Sequence, residues 1–361
     1  MNYRTIIISC LISLSSASIS AQNVSEMRGY YKTVPVDKEM SFELSNKYGS
    51  VQITGWNKDS VSVRAEVKAF ATNQSKLNKM FDGVTVNITD SKYLVRAQTD
   101  FTQNINMLFE SFKGMTSKLI SYDSRVEINY FINVPEYLDL NIENKYGDVY
   151  MESCTGMCTV SVSNGSFKAN SLGKSSSLTL TFCDATINSL SSGKISPSFS
   201  EVSIGEAGDI SVNSISSKID IRKAEVISIE SRRDKLFLGD IEKLEGSSYF
   251  TDYNVNNLRG EMDLTAKYGN LNTDNIERGF KEININSSYT DISLEFEAGS
   301  SYSLEIRHIN AFLVLPDKDI QTEKKALNED RKEYMTSGTV GKNPGSSKLK
   351  IDATRGNIYI K

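Results

Sequence analysis
From residue 141 to about residue 316 the chain runs in short stretches that alternate apolar and polar residues, separated by Ser, Asn, Asp and Gly and without helical spacing. Alternation of period two predicts half-buried β-strands. Val149, the first apolar residue after the turn KYGD, has counterparts at Phe167, Ala185, Val202, Ile219, Leu236, Tyr253, Leu271 and Ile292, at spacings of 18, 18, 17, 17, 17, 17, 18 and 21 residues. A unit of that length holds two strands and their corners, too little to bury its own apolar face, so the units must stack. The pattern therefore predicts an all-β fold, a parallel β-solenoid with rungs of 17–18 residues. The rungs should lie about 4.8 Å apart and coil right-handed, by the general crossover preference.

Three further columns share this register. Before each apolar residue stands a polar one, including Asp148, Asp184, Glu201, Lys218, Asp252 and Asp291. One place earlier the residue is mostly small or turn-forming, as at Gly147, Gly165, Ser200, Ser217, Asp234 and Gly269. Glycine accepts positive φ, and Ser or Asp bonds locally to the backbone, which assigns this column to a turn. The next column back holds Tyr146, Phe182, Phe199, Phe250, Tyr268 and Tyr289, is interrupted by Asn164, Ser216 and Arg233, and is matched earlier in the chain by Tyr48. Rung spacing brings such rings within stacking range, so these seven aromatic residues are predicted to form a structural ladder. The tetrapeptide NKYG at 46–49 and 144–147, echoed as AKYG at 266–269, then marks the register of a stacked fold.

The ends read differently. Residues 37–140 alternate over longer runs, such as SFELSNKYGSVQITGW and SRVEINYFINVP, and predict an antiparallel or mixed β portion with an atypical rung at Tyr48 and Val51. Two helical stripes lie within it: Leu77, Met80, Phe81 and Val84, then Phe101, Ile105, Leu108, Phe112, Met115 and Leu119. Short helices capping an open end of the stack account for both. For residues 101–119 a membrane or partner contact is the sharper alternative, carried by Phe109, Phe112 and Met115. The charged stretch 317–347 predicts a mobile excursion with a short helix near Glu323–Glu333. KLKIDATRGNIYIK, at 348–361, reads as a terminal rung that closes the stack.

Composition narrows the chemistry. With Lys+Arg 41 against Asp+Glu 45 there is no basic field for nucleic acid. MNYR followed by an apolar run and Ala21-Gln22 predicts that residues 1–21 are an export signal, leaving 22–36 as a flexible segment. After its removal no apolar run is long enough to span a bilayer. In an oxidising compartment Cys154 and Cys158 can close a tight corner, and three separate buried thiols, with Cys183, are the equal alternative. The one histidine, His308, falls in a strand-like run, so a Ser-His-Asp arrangement has little support, and no phosphate or dinucleotide loop occurs in a fitting context. No cofactor, metal or catalytic residue is predicted.

The export signal, NKYGSVQITGW, the run PEYLDLNIENKYGDVY at 135–150, the repeated turns and the terminal TRGNIYIK resemble the bacterial putative-adhesin family, exported proteins of repetitive β structure similar to auto-transporter adhesin heads. The resemblance spans most of residues 37–361 and implies a β-solenoid located in the periplasm, at the cell surface or outside the cell; it carries no functional residue with it. The leading expectation is a non-enzymatic protein presenting a rigid β face to an envelope protein or glycan. A polysaccharide-active enzyme on the same scaffold would need an acidic groove with paired carboxylates, and an envelope sensor or scaffold would use residues 101–119.

Overall fold
The computed structural model describes residues 24–102, 125–173, 175–343 and 345–361, which are almost entirely β. The predicted export signal, residues 1–21, lies outside them. Among the described residues two units are distinguished: one comprises residues 24–27, 68–84, 101–102 and 125–126, the other 28–67, 85–100, 127–173, 175–343 and 345–361.

The smaller unit is built around α1 (Gln74–Asp82). Asn73 caps it, its side-chain oxygen accepting from the Lys76 amide at 2.9 Å, and Leu77, Met80 and Phe81 are buried. Val84, counted on the helical face by its spacing, lies beyond the C-cap Gly83 at the start of a strand. Of the second predicted helical stripe, Phe101 instead ends a strand, and the rest, with Phe109, Phe112 and Met115, lies outside the described residues.

The strands in chain order are β1 (Val24–Pro35), β2 (Ser41–Lys47), β3 (Val51–Trp56), β4 (Ser60–Ala71), β5 (Val84–Asp90), β6 (Leu94–Phe101) and β7 (Arg125–Pro135). There follow β8 (Asp139–Lys145), β9 (Val149–Cys154), β10 (Cys158–Leu172), β11 (Ser176–Ser198), β12 (Glu201–Ile215), β13 (Lys218–Arg232), β14 (Lys235–Ile276) and β15 (Glu282–Phe296). The chain ends with β16 (Tyr302–Ile309), β17 (Phe312–Val314), β18 (Ile320–Asn328), β19 (Glu333–Val340), β20 (Lys348–Thr354) and β21 (Asn357–Ile360). Residues 24–35, expected within a flexible segment, are thus a strand. Its alternation is weak because most of its residues are exposed.

The larger unit is organised by parallel pairing at the predicted spacing. Val149 pairs with Phe167, Phe167 with Ala185, Ala185 with Val202, Val202 with Ile219, Ile219 with Leu236, and Leu271 with Ile292. Every one of these residues is buried, so the columns read from the sequence are rows of the core. The N-terminal portion joins the same ladder, β2 lying parallel between β6 and β8, and β3 between β7 and β9. The two NKYG tetrapeptides are direct neighbours there, with Asn46 opposite Asn144 and Lys47 opposite Lys145.

The C-terminal end departs from expectation twice. Residues 348–361 do not close the stack: β20 pairs in parallel with both β15 and β16, and β21 with both β15 and β17, so the last rung is inserted between two earlier ones. Nor is there a helix at 323–333. β18 and β19 form an antiparallel hairpin, and β19 runs antiparallel to β16. β18 is exposed along nearly its whole length. Without a buried face it has no apolar alternation to announce a strand.

Candidate binding face
The corner between the two strands of each rung is where the repeated motif sits. The aromatic column carries a left-handed φ at every corner: Tyr48, Tyr146, Phe182, Phe199, Phe250, Tyr268 and Tyr289 have φ between 51° and 63°, as do Asn164, Ser216 and Arg233 at the interruptions, while in the glycine column Gly269 and Gly356 also have positive φ. A left-handed residue costs about 1–2 kcal/mol unless it is Gly or Asn. That cost is offset by bonding between rungs. The amide of Tyr146 donates to Ser163 O at 2.9 Å, that of Phe199 to Ile215 O at 3.0 Å, and that of Arg233 to Tyr249 O at 2.9 Å, each to the residue before the next corner.

The rings add stacking. Tyr48 and Tyr146 stack at 5.4 Å between centroids, Phe182 and Phe199 at 5.1 Å, Phe250 and Tyr268 at 4.9 Å, and Tyr268 and Tyr289 at 5.1 Å. Arg355 continues the last run, its guanidinium 4.8 Å above the Tyr289 ring and bonded to its hydroxyl. The glycine beside each tyrosine answers a different constraint. At Gly147 an added Cβ would lie 2.0 Å from Gly49 O, in the rung below, so the residue is needed for close backbone approach.

Replacing Phe199 separates ring from backbone. Phe199→Asn removes a stack worth about 1 kcal/mol but suits the left-handed corner, so its net cost should stay within about 1 kcal/mol. Phe199→Val places a β-branched residue there and should cost about 1–2 kcal/mol more. Urea melts of the two variants test the order, and equal stabilities would contradict this account of the corner.

The Asn of NKYG, which sequence reasoning passed over, lies inside the corner. Asn46 Nδ2 donates to Ile128 O and to Asn144 Oδ1, both at 3.1 Å, while Asn144 Nδ2 donates to Gly49 O at 3.0 Å. Thr99 donates to Asn46 Oδ1 at 3.2 Å and shares a 2.8 Å hydrogen bond with the hydroxyl of the buried Tyr130, whose pKa burial pushes up to about 12. Three of the four letters therefore make contacts between rungs; the repeated Asn was itself the signal.

The turn column forms a second rail. Ser200 Oγ accepts from the Cys183 amide at 3.0 Å, Ser217 Oγ from the Ser200 amide at 3.3 Å, and Asp234 Oδ1 from the Ser217 amide at 2.7 Å. Asp234 is buried, and its other oxygen accepts from the Arg232 amide at 2.9 Å, from Ser231 Oγ at 2.6 Å and from Ser214 Oγ. The exposed polar column is similarly engaged. Ser166 bonds to Asp148, Lys218 pairs with Glu201, Asn270 donates to Asp252, and Asn357 donates to Asp291.

Cys154, Cys158 and Cys183 are buried free thiols. A thiol hydrogen bond from Cys158 holds Cys154 below its ordinary range, and the same bond together with burial pushes Cys158 up; burial raises Cys183. His308 is buried in β16, Nδ1 lying 3.1 Å from Ala311 O, and burial lowers its pKa. Its near partner is thus a carbonyl rather than a carboxylate.

What remains outward-facing is mainly hydroxyl and amide. On one strand face Thr159, Ser161 and Ser163 stand beside Ser177, Thr179 and Thr181. Around the corner an open concavity of about 550 Å³ is lined by Gln52, Thr54, Tyr150, Glu152, Lys168, Asn170, Thr186 and Asn188 with inward residues beneath. A second, of about 460 Å³, contains Asn213, Glu230, Arg232, Ser247, Tyr249, Thr265 and Lys267. Among the described residues no helix is long and apolar enough to cross a membrane.

No family model matches the chain, and no curated protein matches it. Among solved structures it is similar to a putative cell adhesion protein from Clostridium sporogenes, at 11% identity over 93% of this chain and 100% of that one. The TM-score is 0.20, too low for either fold or function to be transferred.

Proposed function
We propose that residues 139–314 and 348–361 coil as a β-solenoid, and that the protein is a non-enzymatic envelope or surface protein presenting a rigid β face for binding or adhesion. The observation that carries this reading is the division of labour among side chains. Carboxylates along the corner are engaged in hydrogen bonds and ion pairs from rung to rung, whereas Ser, Thr, Asn and Tyr side chains are presented outward on fixed strands. A strand-borne array holds its spacing without a loop to order, which lowers the entropic cost of binding an extended partner. An enzyme on this scaffold would want paired carboxylates free to protonate and attack, and these carboxylates are engaged in structure.

The test is a screen of residues 22–361 against an array of glycans and against solubilised envelope fractions. Saturable binding to one class, lost on heat denaturation, is the expected result. Absence of binding across both panels would contradict the reading, as would turnover of any glycan on the array.

A further inference from the structure
The concavity between β12 and β14 differs from the rest of the outward surface in having one aromatic ring flanked by two cations. Tyr249 lies perpendicular to the ladder rings, at 85° and 4.6 Å from Phe250 and at 80° and 5.3 Å from Tyr268, while those two stack on one another. A ring beside a stacked pair can approach both so closely only with its face against their edges. Two contacts thus fix Tyr249, and its second face is left to the concavity, where the residue is 39% exposed.

Arg232 is the register partner of Tyr249 on the preceding rung, and the stacking of Phe250 on Tyr268 places Lys267 on the following one. One cation therefore stands about 4.8 Å to each side of the platform, measured along the stack. Both are exposed, and neither has an ion pair among the described residues. Glu230, the one acid in the lining, accepts from Asn213 at 3.2 Å; outside it, Glu245 is held by Lys243 at 2.7 Å and by Ser228 at 2.8 Å. Thr265 and Ser247 add hydroxyls to the floor.

We propose that this concavity binds an acidic saccharide: the sugar ring lies on the free face of Tyr249, its hydroxyls meet Ser247, Thr265 and Asn213, and its carboxylate or sulfate meets Arg232 or Lys267. A flat apolar sugar face suits an aromatic platform, and the anion answers two cations without partners. This assignment rests on the binding-face reading and adds the ligand class to it.

Direct binding of the folded chain to polygalacturonate, alginate, hyaluronan and heparin oligosaccharides tests it, with dextran as neutral control and poly-glutamate as charge control. Saturable binding to at least one acidic glycan is expected, weakened at least tenfold by Y249L and by the double variant R232Q/K267Q. Y31L, which removes an exposed aromatic from β1, should change nothing. Thermal melts confirm folding; should Y249L not fold, the exposed-cation variant carries the test. The proposal is overturned if none of the four acidic glycans binds, if binding survives the folded variants, or if poly-glutamate competes as well as the glycans. A ligand found elsewhere in the broader screen would then leave the binding-face reading standing while this site fell.

Discussion
Truncation after Ser347 is expected to unfold residues 302–340 and to leave the preceding rungs intact. The fourteen residues removed are not an appendage, because β20 and β21 lie between β15 on one side and β16 and β17 on the other. Leu349, Ile351, Ile358 and Ile360 are buried in that position. Their burial contributes on the order of 6–12 kcal/mol, comparable to the whole stability of an ordinary domain. Loss of the rung also opens the ladder on both sides and removes Asp352, one of two carboxylates that hold Arg307. Limited proteolysis followed by mass spectrometry should show new cleavage at 302–340 with residues 139–276 still protected. A synthetic 348–361 peptide, added in trans, should restore protection. Unchanged protection of 302–340 in the truncated chain would refute the insertion.

Asp234→Ala should be among the most destabilising single substitutions in the central rungs. It leaves the buried amide of Ser217 and the part-buried amide of Arg232 without the acceptor they use and removes the acceptor of Ser214, while Ser231 keeps its bond to Thr251. The buried amide alone costs on the order of 1–3 kcal/mol when unpaired, and the part-buried one adds to this. Asp234→Asn keeps one good acceptor oxygen and turns an NH2 toward hydroxyls that can rotate to receive it, so it should recover part of the loss. Urea denaturation of the three proteins measures this, with Asp252→Ala, at a half-buried corner position, as comparison. Equal effects at 234 and 252 would mean that the buried carboxylate is dispensable.

The rows of the core were legible because each strand has one buried and one exposed face, and a stack repeats that alternation at a fixed period. Val149 to Ile292 could be aligned on this basis alone, and from Val149 to Leu236, and again from Leu271 to Ile292, the aligned residues are the ones that pair. The aromatic ladder was visible for the same reason, although the left-handed backbone beneath it was not. Tyr and Phe have no preference for that conformation, so nothing in their identity announces it. KLKIDATRGNIYIK reads as a rung wherever it sits, because a local pattern specifies which face is buried and not which neighbour covers its edge. β18 was missed since, exposed on both faces, it carries no period at all. Asp234 looked like any turn residue until the register placed three serine hydroxyl or amide groups around it. Tyr249, Arg232 and Lys267 became a group only once their rungs were aligned.

The hairpin at 320–340 has a consequence for how copies of this chain can meet. A stack of parallel strands ends in a row of unpaired amides and carbonyls, which is a template for the first rung of another copy and hence for an open fibre. Here the parallel ladder stops at β16, the next strand reverses direction, and the strand beyond it carries Glu323, Lys324 and Lys325 on an exposed surface. A second chain arriving there meets a strand exposed along its length and charged at its edge, in place of the half-buried rows of the ladder. The hairpin thereby covers the β16 edge of the ladder with a charged strand, a surface that discourages growth by strand addition.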